Sequence, residues 1–311
     1  VGVLLLGAFA PLAALPADAA ASGNNLDWNP PDFIDTDVGG NSSWPSVAMD
    51  ARGIAFAVWM KEVVPGCSVI NTSCPGRVFA NRFLPLGGWG HPVVIGEWGP
   101  SADPDNTSRP IEPQVAVGLQ GNAVVAWQAN GSTWANYFLP YYGWGRAASL
   151  HRESLWYEGL PIAVDRTGGA TIRSANNGSV WANYFVPGSG WQQSVLLAGN
   201  AGFPHVATDA GGSLVVAVWA QAMPALPAGC PEGSSVGASW FSPGTGWSSP
   251  MILQPCVGVF YGIHFDAAVA NGRAVVVWMG SVLDSNTTLW AAHLTPNGGW
   301  SNVSALGPEV N

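Results

Sequence analysis

A tandem repeat of about fifty residues constrains this chain more than any other feature. A Pro-x-x-Gly-Trp pentapeptide ends at Trp89, Trp144, Trp191, Trp247 and Trp300, at intervals of 55, 47, 56 and 53 residues. Ahead of each lies an alternating segment: VFANRF (78–83), TWANYF (133–138), VWANYF (180–185), VGASWF (236–241) and LWAAHL (289–294). Further upstream an apolar run ends in Trp59, Trp127, Trp219 or Trp278, and Ser174 takes that place in the third unit. Each unit starts with PSVAMD (45–50), PQVAVG (113–118), PIAVD (161–165), PHVATD (204–209) or the looser HFDAAV (264–269).

Each unit reads as four short strands, A to D. Strand A runs into a tight turn such as Asp50-Ala-Arg-Gly53 or Asp209-Ala-Gly-Gly212. There the Asp side chain binds its own turn and the Gly accepts positive φ. Strand B ends at the apolar-run Trp, strand C alternates, and Pro-x-x-Gly-Trp makes the C–D hairpin. A sheet this small cannot bury both faces alone, so tandem copies must cover one another by stacking. The expected fold is an all-β propeller of four-stranded antiparallel blades over residues 22–311, with repeats at about 45–98, 113–155, 160–200, 204–255 and 264–309. A linear β-solenoid is the alternative, but its rungs are shorter.

The segment Trp28-Asn-Pro-Pro-Asp-Phe-Ile34 matches Trp89-Gly-His-Pro-Val-Val-Ile95 and reads as a lone strand D at 28–34. The fifth unit already owns its strand D. The simplest expectation is therefore a six- or seven-bladed ring, five of whose blades are complete in this sequence. A five-bladed ring with a spare strand that packs outside it or pairs with another molecule is the rival.

Composition narrows the setting. Only 9% of residues are charged, against about 25% in ordinary soluble domains. Gly 40, Pro 25 and Trp 17 suit turn-rich β structure. Net charge is −9 with a single Lys, Lys61, so no cationic cluster exists to hold nucleic acid. Residues 1–21 are apolar and end in Ala17-Asp18-Ala19, the pattern of a secretory signal peptide without its Met or positive n-region. Pro11 and Pro16 interrupt the stretch, whose roughly 16 apolar residues fall short of the ~20 a membrane span requires. Sequons at Asn41, Asn71, Asn106, Asn130, Asn177, Asn286 and Asn302 fit a secreted or cell-surface glycoprotein, although Asn-Gly-Ser also makes a good turn.

The units resemble the blades of secreted bacterial β-propeller repeat proteins, including sialidase-like ones. The third, IRSANNGSVWANYFVPGSGW (172–191), resembles a blade of the fucose-binding lectins. That resemblance implies an Arg, a Glu and aromatic rings in each sugar pocket. Arg173 matches the Arg, but Ala182-Asn183 stand where the Glu belongs, and no other unit keeps the Arg. The sialidase Asp-box is absent, and Arg109-Pro110-Ile111 reverses the sialidase Arg-Ile-Pro order. The resemblance therefore implies a lectin-like scaffold without fucose specificity or sialidase chemistry.

In such a scaffold the B–C and D–A loops share one face, and these are the irregular ones, with long B–C insertions at 60–76 and 220–235. Aromatic residues Trp44, Trp98, Trp156, Tyr157, Phe203, Phe260 and Tyr261 are expected in D–A loops there, beside Gln114, His205 and His264. Flat rings beside hydrogen-bonding groups suit stacking on sugar faces, though the same rings could simply plug the channel. The recurring strand-B and Gly-Trp indoles are read as packing. Glu112, Glu153 and Glu158 form the nearest thing to a hydrolytic carboxylate set. Asp35-Thr-Asp37-Val-Gly39 resembles half a calcium loop without its distal Glu; it is read as a plain acidic turn with no cofactor, calcium being the alternative. The expected function is non-catalytic recognition of a glycan or protein. An extracellular glycan hydrolase, or a filament protein assembled through the spare strand, is the alternative.

Four cysteines complete the reading, with Cys67 and Cys74 in one B–C insertion, Cys230 in the other and Cys256 in the following D–A loop. Disulfides Cys67–Cys74 and Cys230–Cys256 are expected, each contributing about 2–4 kcal/mol. Alkylation of the unreduced protein followed by peptide mass mapping should find no modified thiol and these two cross-linked pairs. Any other pairing would refute the assignment.

Overall fold

The computed structural model describes residues 31–36, 39–64, 66, 74–99, 111–152, 160–164, 169–175, 178–209, 213–223, 234–257, 264–280, 288–295 and 299–307. The chain divides into two compact units, Val1–Phe33 and Ile34–Asn311, and every sheet lies in the second. None of the described residues is helical.

Five antiparallel sheets follow one another along that unit. In the first, Ser42–Met49, Ala55–Glu62 and Gly76–Leu84 are strands A, B and C, and strand C carries both Gly88–Trp89 and Val93–Trp98 on its outer edge. The other sheets repeat this order, with innermost strands Ile111–Val117, Ile162–Val164, Ala201–Thr208 and Phe265–Ala270. Each innermost strand packs beside the next in chain order, and each sheet stacks face to face on its successor. This is the blade stacking of a β-propeller.

The Asp-capped turns form as their sequence dictates. Asp50 Oδ1 accepts the amides of Arg52 and Ile54 at 2.9 and 3.0 Å, and Gly53 sits at φ +80°. Asp209 Oδ1 likewise accepts Ser213 and Leu214 at 2.7 and 3.2 Å. In the second sheet Asn130 (φ 51°) and Gly131 (φ 66°) close a two-residue B–C hairpin, the primed geometry that matches strand twist. The sequon asparagines Asn130 and Asn41 use their amides structurally, donating to Gly99 O at 3.1 Å and Glu62 Oε2 at 3.0 Å.

The cores lie between sheets. Phe56, Val58 and Met60 of the first sheet meet Val125 and Trp127 of the second. The strand-B indoles of Trp127, Trp219 and Trp278 are essentially sealed from solvent, each against the sheet that precedes it. The Gly-Trp indoles seal the hairpin ends. Trp89, Trp144, Trp191 and Trp247 meet Phe83, Phe138, Phe185 and Phe241 with ring centroids 5.4, 5.4, 5.4 and 5.6 Å apart. Such tilted aromatic pairs contribute about 0.5–1.5 kcal/mol beyond their buried area.

Strand D differs from the expectation of one continuous strand. It is broken into two pieces in the first four sheets, and Pro92 and Pro250 fall in two of the gaps, where they have no amide to donate. An Asn on strand C fills the break. Asn81 Nδ2 donates to Gly90 O at 3.1 Å and to Ile34 O at 2.9 Å. Asn136 Nδ2 donates to Gly145 O at 3.1 Å and to Ile95 O at 2.7 Å. The Asn136 amide thus spans the gap in its own sheet and grips strand D of the sheet before, and Asn81 holds Ile34 with the same geometry.

Strand D of the first sheet carries Gly96 where a Cβ would overlap the Trp127 ring. Gly96→Ala should therefore lower stability by about 1–3 kcal/mol through overpacking. Gly99→Ala, with open space around it, should be near neutral. Thermal melts of the two variants read the difference, and equal melting points would refute this packing.

Candidate functional site

The ends of the sheets segregate into two faces. Gly53 of an A–B turn lies beside Pro85 of a C–D turn, and both turns are short. On the opposite side B–C turns meet D–A joints: Asn130 reaches Gly99, and Gly178 lies against Asn200. This second face carries the irregular loops and the starts of the innermost strands.

Not all of the aromatic candidates occupy loops there. Trp44 and Phe203 lie inside strands A, at bulges where the A–B register shifts. They are the same repeat position, each directly before a proline, with φ of 54° and 51°. A left-handed backbone costs a bulky L-residue roughly 1–2 kcal/mol, so the two bulges hold these rings against local preference. Trp44 tucks against the core between the first two sheets, whereas Phe203 is 43% exposed.

Trp98 ends its strand and is buried, with Nε1 donating to Cys74 O at 3.2 Å. Its ring fills the space over Gly76, where any side chain would collide with it. Trp98 is thus a core residue and not part of a ligand platform. Trp156, Tyr157, Phe260 and Tyr261 lie outside the described residues, as do Glu153 and Glu158. Glu112 is exposed.

The polar candidates fall on the innermost strands. Gln114 and His205 are half-buried and His264 is exposed. The structure adds Asp266, which sequence reasoning missed. Its Oδ1 stands 3.7 Å from His205 Nε2 across the fourth and fifth sheets. Burial holds the His205 imidazole below its ordinary pKa, and the neighbouring Asp266 carboxylate offsets part of that shift. The neutral ring can donate at one nitrogen and accept at the other.

The half-loop at Asp35 is engaged within the protein. Its carboxylate accepts Lys61 Nζ at 3.0 and 3.1 Å and Ser42 Oγ at 2.5 Å. Lys61 is itself buried, and an ammonium in that position requires such a partner. Asp37 lies outside the described residues, and no metal-holding cluster occurs among the described ones. Cys74 and Cys256 are disulfide-bonded; Cys67 and Cys230 lie outside the described residues. Among those residues no helix is long and apolar enough to cross a membrane.

No protein-family model matches the chain, and neither does any curated protein. Solved structures with a similar arrangement of strands include a protein of unknown function from Dyadobacter fermentans, with TM-score 0.44, 12% identity, and 86% of this chain and 80% of that one covered. The NanB sialidase from Streptococcus pneumoniae gives TM-score 0.43 and 9% identity over 87% of this chain and 62% of that enzyme. The fucose-specific lectin from Aleuria aurantia gives TM-score 0.42 and 12% identity over 86% and 80%. Likenesses this distant carry no activity across.

His205 makes stability depend on pH with a definite sign. Its folded pKa lies below the unfolded one, so its stabilisation is complete above the unfolded value and is lost as pH falls through the folded value. Melting temperature should drop on acidification from about pH 7 to 5, and His205→Gln should flatten that slope. Parallel slopes for the two proteins would count against the burial of this ring.

Proposed function

We propose that the chain is an extracellular recognition module that binds its ligand, a glycan or a protein, through the irregular face and without chemistry on it. One observation carries this reading. Phe203 is held half out of the fold by a strained bulge, and the very next strand residues lead to His205, whose uncharged imidazole faces Asp266. A partly exposed ring on the same strand as a donor–acceptor imidazole that faces a carboxylate is the combination that sugar recognition uses. The ring covers C–H surface while the polar atoms take hydroxyls.

Lack of catalysis is the simpler half of the proposal. Hydrolysis by a carboxyl acid needs one carboxyl shielded from water so that it keeps its proton. Glu112 and Asp266, on the innermost strands, are both exposed, and Glu62, the buried carboxylate at the B–C end of the first sheet, is engaged by the Asn41 amide at 3.0 Å. Secretion is supported by the apolar leader-like residues 1–21, the sequons and the cysteine usage.

Binding to an immobilised glycan array tests the reading. The wild-type protein should retain a defined set of sugars, and Phe203→Ala and His205→Ala should each weaken retention at least about tenfold, the loss of roughly 1.4 kcal/mol. Binding that survives both substitutions would place the site elsewhere. Retention of no sugar, with capture of a defined extracellular protein that both substitutions abolish, would leave the protein-ligand form of the proposal.

A further inference from the structure

The stacking of sheets repeats one interface, and the fifth sheet presents that interface uncovered. In the first sheet the strand-B residues Phe56, Val58 and Met60 point at the second sheet and are 0% exposed. Val216 and Val218 do the same between the fourth and fifth sheets. The matching residues of the fifth sheet are Val275, Val277 and Met279, and their sequence is just as apolar. Yet Val275 is 48% exposed, Met279 45% and the neighbouring Leu289 42%. The opposite side of the same strand, with Val276 and Trp278, is fully sealed against the fourth sheet. The strand therefore alternates buried and open where its counterpart Ala55–Glu62 is buried throughout.

The first sheet shows the other half of this interface. Val47 is 66% exposed, while Val115 and Val206, its counterparts in the second and fourth sheets, are 8% and 7% exposed against the sheets that precede them. On that side Ile34 packs against Ala57, Trp59 and Phe79 of the first sheet. Its carbonyl accepts Asn81 Nδ2 just as the Ile95 carbonyl accepts Asn136 Nδ2. Ile34 thus takes beside the first sheet the place that Ile95 takes beside the second, and the A, B and C strands of a preceding sheet have no counterpart in the described structure.

We propose that the open face of the fifth sheet seats one further three-stranded unit of this same repeat. The partner is an antiparallel A–B–C sheet whose middle strand carries an indole. That indole packs on Val277 and Met279 as Trp127 packs between the first two sheets. Continuity with the repeated interface selects this occupant over a second copy of the chain. A second copy would bring its first sheet with position D already taken by its own Ile34.

The test joins a copy of residues 111–139, the A–B–C strands of the second sheet, to the complete chain through a flexible Gly/Ser linker. The fusion should melt several degrees above the unfused protein, as one added interface worth about 1 kcal/mol or more would produce. Replacing the indole of the added unit by Ala, or Met279→Arg in the host, should each abolish the gain. Met279→Arg in the unfused protein, where the residue faces water, should leave melting unchanged and serves as the folding control. A fusion that melts like its parent, or a gain insensitive to both substitutions, overturns the proposal. So does concentration-dependent self-association of the unfused protein that Met279→Arg removes, because the seat would then belong to a second copy.

Discussion

The burial of a strand-B indole against the outermost strand of the preceding sheet, in the second, fourth and fifth sheets, is the contact on which this fold rests. Trp127 lies over Gly96, Trp219 packs with Ala198, and Trp278 donates from Nε1 to Gln254 Oε1 at 2.6 Å. Gly96, Ala198 and Gln254 are the same position of the repeat, seven residues after the Gly-Trp indole. The position is therefore tuned to its ring: glycine where the ring sits closest, a glutamine where the indole N–H needs an acceptor. Trp127 Nε1 has no such acceptor among the described residues, at a cost of roughly 1–3 kcal/mol. Close packing of the ring over Gly96 offsets it.

Because these rings hold the sheets by their outer halves, the inner strands are relieved of most packing duty. That is why strands A can bulge, take left-handed residues at Trp44 and Phe203, and carry Gln114, His205 and Asp266 toward the rim. A rigid periphery and a permissive centre place variable chemistry on a constant frame. The recurring tryptophans and the candidate ligand residues are thus two separate populations with opposite requirements.

Much of the frame was readable from spacing alone. The strand order, the Asp-capped turns and the packing role of the recurring indoles all follow from local pattern. The alignment of Trp28–Ile34 with Trp89–Ile95 puts Ile34 in the place of Ile95, and their two carbonyls do accept equivalent amides. The candidate site was less legible. Trp98 looks like any aromatic residue after a strand, and it is Gly76, distant in sequence but paired across the sheet, that makes room to bury it. The strand A bulges escaped notice because a register shift is set by the partner strand. Asp266 gained its meaning only when the fourth and fifth sheets brought it to His205. Local chemistry writes the blade, whereas the site depends on contacts between blades, which no single stretch of sequence contains.

In the second sheet the asparagine that spans the broken outer strand ties two sheets with one side chain, Asn136 to Ile95, and in the third Asn183 reaches Leu150 O through Ser194 Oγ, while Asn81 of the first sheet holds Ile34 in the same way. Under tension along the chain, peeling an outer strand must break this tether at the same moment as the ladder. The second and third sheets are thereby clamped to their predecessors, so a pulling force should meet discrete yield points there rather than a gradual fraying. Such stepwise yielding would spend mechanical work one sheet at a time and leave the remaining sheets intact.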